Sequence, residues 1–432
     1  MLHKLKEFGL SEAVRRAPPY GRRRRLLAAA ERWDREELEV WLARRVSRTL
    51  ALARRLPGYA DAPRTNDLAA WPVLTKPDVA GREEAFGTAG LLPSYRASTG
   101  GTTGLPLKIR RSLSSVIWEQ AAIDHVCAKA GLDLPRARVA VLRGDYVKPP
   151  SDLTPPFWRS VGRRTRIFSS FHLSRKTLDD YLSGLAEFAP DVLWCYPSSL
   201  QHLVGLCEAG GRSLRLGHVL SSSERMPHEV VAAARRVLGA RVIDYYGQAE
   251  RIVFAYAIDG DAYRFLPVYG RPELVPTEDG QVRVLGTSFW NVRQVFVRYD
   301  TGDLALVPAI DARTLHDVEL GLRTFGGIDG RASERIDLGD GRRIIGLNHI
   351  PRGVAHAASV QLRQTAPDAV EALVVPLDGF DAASEATIRK NFYDKFPSDV
   401  ALTIRRIEAP IRTRAGKAPL LVAADDPSAR GG

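Results

Sequence analysis

Cysteine is scarce in this 432-residue chain: Cys127, Cys195 and Cys207 are the three, at spacings that fit neither a zinc-ligand pattern nor a redox CxxC pair. An odd number so placed argues for buried thiols in a reducing compartment rather than for a disulfide framework. Lysine is scarce too, ten among 62 basic residues, so the net charge of +12 is carried by arginine. Much of it lies in clusters, Arg22 to Arg25 and Arg163, Arg164 and Arg166, which read as solvated faces rather than a nucleic-acid groove. No run of about 18 apolar residues is present to cross a membrane. The opening MLHKLKEFGLSEAVRRAPPYGRRRR lacks the apolar stretch of a signal peptide. The expectation is a soluble, cytoplasmic protein that binds neither nucleic acid nor membrane. Internal repeats, heptad arrays and low-complexity tracts are also missing.

What remains is ordinary globular material, 45% hydrophobic and 26% charged, long enough for two or more domains. Residues 26 to 57 carry apolar positions (Leu26, Leu27, Leu38, Leu42, Val46) near the helical period, which predicts N-terminal helices within residues 1–60. VIWEQAAIDHVCAKAG reads as a helix ended by Gly131. RVAVL, DVLWCY and RVIDYYG are strand-like and alternate with helical TLDDYLSGLAEFA and EVVAAARRVLG, so the middle predicts α/β layers. From Tyr263 to about Thr324 helices are expected to give way to antiparallel strands such as QVRVLG and VFVRYD. The last hundred residues predict a hairpin around Gly339 to Gly341, a strand at EALVVPLD, a helix at ASEATIRKNFYDKF and a strand at ALTIRRIEA. Two domains follow, 1–330 and 331–432, of an α/β class with a small α+β partner.

STGGTTGLPL, Ser98 to Leu107, is the most unusual stretch, predicted to join a strand to a helix. Glycines leave backbone N–H groups uncovered, so a phosphate can collect several donors, aided by the positive end of a following helix. No lysine followed by Ser or Thr closes the loop, which argues against a P-loop NTPase. On its own the turn reads equally well as a plain connecting loop. Downstream come YYGQAE around Tyr246 to Glu250, YDTGD ending at Asp303, GR at Gly330 and Arg331, and GK at Gly416 and Lys417.

This ordered set resembles the adenylate-forming enzymes, the superfamily of acyl-CoA synthetases, luciferases and peptide-synthetase adenylation domains. Within it the chain is similar to phenylacetate-CoA ligases and their capsule-biosynthesis-type relatives, through WPVLTKPDV, FHLS, YPSSL, SSSERM, GRASERIDLGDGRRIIGL and RTRAGKAP. The resemblance implies a large N-terminal adenylation domain and a small mobile C-terminal lid, with the active site in the crevice between them. It implies ATP and Mg²⁺ as requirements, a carboxylic acid as substrate and coenzyme A as acceptor. An amine or a carrier-protein pantetheine thiol is the alternative acceptor, and a homodimer is compatible with it.

Position by position, the resemblance implies that Ser98, Thr99, Thr102, Thr103 and Gly104 wrap the ATP phosphates. Tyr246, Gly247 and Gln248 would line the nucleotide and acyl sites, and Ser223 and Glu224 would lie by the adenine. Asp303 would accept the ribose hydroxyls, Arg331 would reach the ribose and phosphates, and Glu250 would hold Mg²⁺. Lys417, with Glu250 and Thr103, would be catalytic. Tyr146, Phe171, His172, Tyr196, Pro197 and Ser198 would form the acyl pocket, whose aromatics suit an aromatic or apolar acid.

Each assignment has a plainer rival: Glu250 in a surface ion pair with Arg251, Asp303 as a turn cap, Lys417 as a solvated tail lysine. His172 fits a structural role or a pocket wall. The chain departs from the resemblance where LPLKI replaces a common Gly-Lys-Pro, leaving a loop lysine to Lys108, and at Ser333, where an acidic hinge residue is commoner. A non-catalytic binding protein for an anionic partner is the reading from another class.

Overall fold

The computed structural model of the chain describes residues 10–88, 94–98, 107–145, 147–149, 151–260, 262–331, 335–344, 347–413 and 416–422. They fall into two compact units, each built from two stretches of chain: Met1–Arg136 with Ile243–Ile328, and Ala137–Val242 with Asp329–Gly432.

The first unit opens with the helices Pro18–Ala30 and Arg35–Ala53. The second of these begins in a capping box, with the Asp34 side chain accepting from Glu37 N–H and the Glu37 carboxylate accepting from Asp34 N–H. Its Leu38, Leu42, Val46 and Leu50 face a core completed by Trp71, Phe86, Phe265, Phe296 and Phe325. Strand Ser94–Ser98 pairs antiparallel with Lys108–Ser112, Ser98 lying opposite Lys108. The glycine-threonine loop therefore joins two paired strands, and the helix Leu113–Lys129 follows only after the second. This differs from the strand-to-helix connection expected of it, because charged KIRRS hides its strand character. Downstream, Gly270–Pro276, Val282–Ser288 and Tyr299–Ala305 form an antiparallel meander.

One helix, Ala312–Glu319, interrupts the stretch expected to be wholly β. Asp311 caps it by accepting from Thr314 N–H at 2.9 Å, while Leu315 and Val318 are buried.

In the second unit the strands lie in the order Trp158–Val161, Thr165–Ser169, Val139–Asp145, Val192–Cys195, His218–Ser222. The last four are mutually parallel, and the first is antiparallel to its neighbour. Helices Leu178–Phe188, Pro197–Ala209 and His228–Leu238 connect them, the last ended by Gly239 at φ +62°. The remainder builds a sheet in the order Ala401–Arg406, Ala369–Pro376, Ala357–Ala366, Leu421–Val422, with the helix Ala382–Tyr393 and its own core of Leu362, Val374, Ile388 and Phe392. The expected hairpin is present as Ile336–Asp337 paired with Arg343–Ile344. Cys127, Cys195 and Cys207 are buried free thiols. Among the described residues, no helix is long and apolar enough to cross a membrane.

Candidate functional site

The predicted site residues that are described gather in two clusters, one in each unit. In the first unit the strand Arg241–Gly247 ends at Tyr246 and Gly247, and a turn carries Gln248 and Glu250. Tyr246 donates its hydroxyl to Asp303 Oδ2 at 2.7 Å. Thr301 organises the same corner, donating to the Val284 carbonyl at 2.7 Å and accepting from Asp303 N–H at 3.1 Å. Burial, followed by the charge of Asp303, pushes the Tyr246 phenol well above its ordinary range, so it stays a donor.

Glu250 is 8% exposed and Asp303 5%. Glu250 accepts from the Tyr299 hydroxyl at 3.3 Å, and Arg251 pairs with Glu119. The Arg251 backbone is left-handed, φ +59°. Glu250 is thus a buried carboxylate rather than a surface one. In the Thr-Gly-Asp turn Asp300 Oδ1 accepts from Gly302 N–H at 2.9 Å, and Gly302 takes φ +73°. Gln248 accepts from Val253 N–H at 3.2 Å, closing the turn that carries Glu250.

The second cluster sits at the carboxyl ends of parallel strands, the edge where α/β sheets place ligands. Arg143 belongs to Val139–Asp145, Tyr196 follows Val192–Cys195, and Ser223 and Glu224 follow His218–Ser222. Ser223 takes φ +77°, a strained conformation for a serine, and its carbonyl accepts from Lys417 Nζ at 3.0 Å. Lys417 Nζ also lies 5.8 Å from the centre of the Tyr196 ring. Ser198 N–H donates to Glu224 Oε2 at 2.9 Å. Burial raises the Glu224 carboxyl against the opposing pull of Ser198, Lys417 and Arg412.

The GK turn is fixed from several sides. Thr413 N–H donates to Lys417 O at 2.8 Å and Gly416 N–H to Thr413 O at 2.7 Å. Arg412 donates to Gly416 O at 2.9 Å, and Gln361 brackets the segment through Ile411 and Pro419. Gly416 has φ +75°, and a Cβ there would fall 2.0 Å from Gly144 Cα, so position 416 requires glycine for close approach, while Gly144 takes φ +72°, the region glycine favours.

His172 is buried with both ring nitrogens engaged, Nδ1 with Ser169 Oγ at 2.7 Å and Nε2 with Pro149 O at 3.0 Å. Its partners are those of a structural histidine. Phe171 is half-buried, while Tyr196 and Pro197 are buried. Ser98 is exposed at the end of its strand. Thr99, Thr102, Thr103, Gly104, Tyr146 and Ser333 lie outside the described residues, as does the side chain of Arg331. Lys108 is exposed.

Sequence reasoning missed Thr301, Arg143 and Arg412. Thr301 lies inside the YDTGD motif and could have been included with it. Arg143 lies 4.8 Å from the Trp194 ring and 5.1 Å from the Tyr196 ring, and it donates to Ser222 Oγ at 3.3 Å. Its one signal is its place at the end of a predicted strand.

A single buried carboxylate such as Glu250 suits Mg²⁺, which commonly takes one or two carboxylates and otherwise keeps water and phosphate oxygens. Groups of three or more His, Cys, Asp or Glu able to form an all-protein metal site are absent among the described residues.

The chain has the fold of the adenylate-forming ligases. Two crystal structures of 2-hydroxyisobutyryl-CoA ligase in the postadenylation state are similar to it: one in complex with R3-HIB-AMP (TM-score 0.58) and one with 2-HIB-AMP (TM-score 0.56). In each, the identity is 15% over 90% of this chain and 89% of the ligase. No protein-family model matches the chain, and no curated protein matches it in sequence.

Proposed function

We propose that the chain is an ATP-dependent acid–thiol ligase of phenylacetate-CoA ligase type, with residues 331–432 as its small mobile domain. A carboxylate oxygen attacks the α-phosphorus of ATP, the bond to the β-phosphate breaks, and pyrophosphate leaves. The thiol of coenzyme A then attacks the acyl carbonyl and AMP leaves. The fold shared with 2-hydroxyisobutyryl-CoA ligase supports the class of reaction. The observation that carries the reading for this chain is the pair of buried carboxylates, Asp303 and Glu250, each held by a tyrosine hydroxyl in motifs predicted to bind nucleotide and metal.

Asp303, oriented by Tyr246 and Thr301, accepts ribose hydroxyls, as acidic residues do in dinucleotide sites. Ser98, Thr99, Thr102, Thr103 and Gly104 receive the phosphates, Arg331 contributes to the ribose side, and Glu224 with Ser223 lies by the adenine. Glu250 would hold Mg²⁺, which when bound supplies charge neutralisation on the phosphates. Lys417 leaves the Ser223 carbonyl to neutralise the two anions that the first step brings together. Phe171, Tyr196, Pro197 and Ser198 shape a pocket for an aromatic or apolar acid, with coenzyme A as acceptor.

The test is carboxylate-dependent exchange of pyrophosphate into ATP, screened over aromatic, fatty and amino acids, followed by addition of coenzyme A. Exchange with a member of the panel is expected, and Asp303→Asn is expected to raise the KM for ATP roughly tenfold or more through lost charge-assisted hydrogen bonds. No exchange with any acid would overturn the reading.

A further inference from the structure

Away from these motifs, the first unit holds an aromatic pair flanked by arginines. Trp118 and Trp290 stack with ring centres 4.3 Å apart and planes 19° from parallel. The Arg45 guanidinium lies 3.7 Å from the Trp290 ring centre, and that of Arg23 lies 5.6 Å from the Trp118 ring centre. Arg45 donates to the Phe289 carbonyl and Arg23 to Ser114 Oγ at 2.9 Å. Both acceptors are neutral, and no carboxylate pairs with either guanidinium among the described residues.

Four buried nitrogens around this pair have no hydrogen-bond partner among the described residues: Arg23 Nη1, Arg45 Nε, Trp118 Nε1 and Asn291 Nδ2. Asn291 is tied to the same place, its Oδ1 accepting from Ser112 N–H at 2.9 Å while Ser112 donates to the Trp290 carbonyl at 2.9 Å. All four are donors. Burial lowers the Arg23 guanidinium to about 10, and burial with the neighbouring charges of Arg48 and Arg23 lowers that of Arg45 to about 10.

Cation–π attraction offsets part of the cost of burying these guanidiniums, yet it satisfies no N–H. What would complete the cluster is a group that accepts in several directions and carries negative charge. The chain pairs buried guanidiniums elsewhere: Arg15 makes two 2.7 Å hydrogen bonds to Asp124 on the same helix that carries Trp118. A neutral polar ligand would satisfy donors but leave the charge, and a carboxylate offers two oxygens to the two guanidiniums, the indole and the amide. A tetrahedral oxyanion offers four, in the geometry the arginine fork suits.

We propose that Arg23, Arg45, Trp118 and Asn291 form a binding site for a phosphate-type oxyanion, separate from the nucleotide motifs. Free phosphate and the terminal phosphate of an ester present the same chemistry to it.

The test is calorimetric titration of the full chain with inorganic phosphate, and separately with glycerol phosphate, at ionic strength held constant with chloride. Saturable binding of phosphate with a matching change in tryptophan fluorescence is expected, and comparison of the two ligands tells a free anion from an ester. Arg23→Gln and Arg45→Gln are each expected to weaken binding about tenfold or more, since each removes charge-assisted hydrogen bonds. Lys417→Ala should leave binding unchanged, which separates this cluster from phosphate held by the nucleotide motifs. Arg45→Lys keeps the charge without the fork and should fall between wild type and Arg45→Gln, giving a readout where the glutamine variant folds poorly. Absence of saturable binding by the wild-type chain to both ligands would overturn the proposal, and so would equal affinity in wild type and the folded arginine variants.

Discussion

Asp303 and Glu250 are almost wholly buried and each accepts a tyrosine hydroxyl, whereas Lys417 is half-exposed and donates to the Ser223 carbonyl. The first arrangement holds acceptors in place before a ligand arrives, through strand geometry and packed phenols. The second places a cation within reach of solvent, its ammonium on a neutral carbonyl, a weaker acceptor than a phosphate or carboxylate oxygen. Fixed carboxylates and a half-exposed lysine suit the proposed adenylation, in which charge builds on one phosphorus.

Lys417→Ala is expected to lower the rate of carboxylate-dependent exchange by about 10²-fold or more while leaving the melting temperature within a degree or two, because exposed contacts contribute little to stability. A large fall in melting temperature with it would show the lysine to be structural. Tyr246→Phe probes the other side: it leaves a buried Asp303 oxygen short of a donor. Denaturant unfolding should register a loss of about 1–3 kcal/mol together with weaker ATP binding.

His202 is buried, its Nε2 meets the Leu173 carbonyl at 3.0 Å, and burial followed by the charge of Arg412 lowers it to about 4. Between pH 6.5 and about 4 the unfolded chain takes up this proton before the folded one does. Stability therefore declines as pH falls through that window and is fully present above it. Replacing His202 with Gln should flatten this part of a melting-temperature profile.

Much of the layered architecture was legible because burial imposes a period. TLDDYLSGLAEFA and EVVAAARRVLG became the helices Leu178–Phe188 and His228–Leu238, and Gly131 and Gly239 carry the positive φ that ends helices. The strand Ala357–Ala366, central to the C-terminal sheet, was not read, since Gln361, Arg363 and Gln364 obscure its alternation. Their partners are tertiary: Arg363 pairs with Glu371 across the strands, and Gln361 holds the lysine turn. The motif residues Tyr246, Asp303, Glu250, Ser223 and Lys417 could be named from the chain. That Tyr246 holds Asp303, that Arg251 pairs with Glu119, and that Arg143 stands over two aromatic rings depends on distant segments meeting, which no local pattern records.

The touching glycines at 144 and 416 carry a further consequence. Size-swapped pairs usually tolerate exchange, one partner shrinking as the other grows, but here both members are already the smallest residue available. A saturation screen should therefore return two intolerant positions, far apart in the sequence, with no second-site revertant at either one.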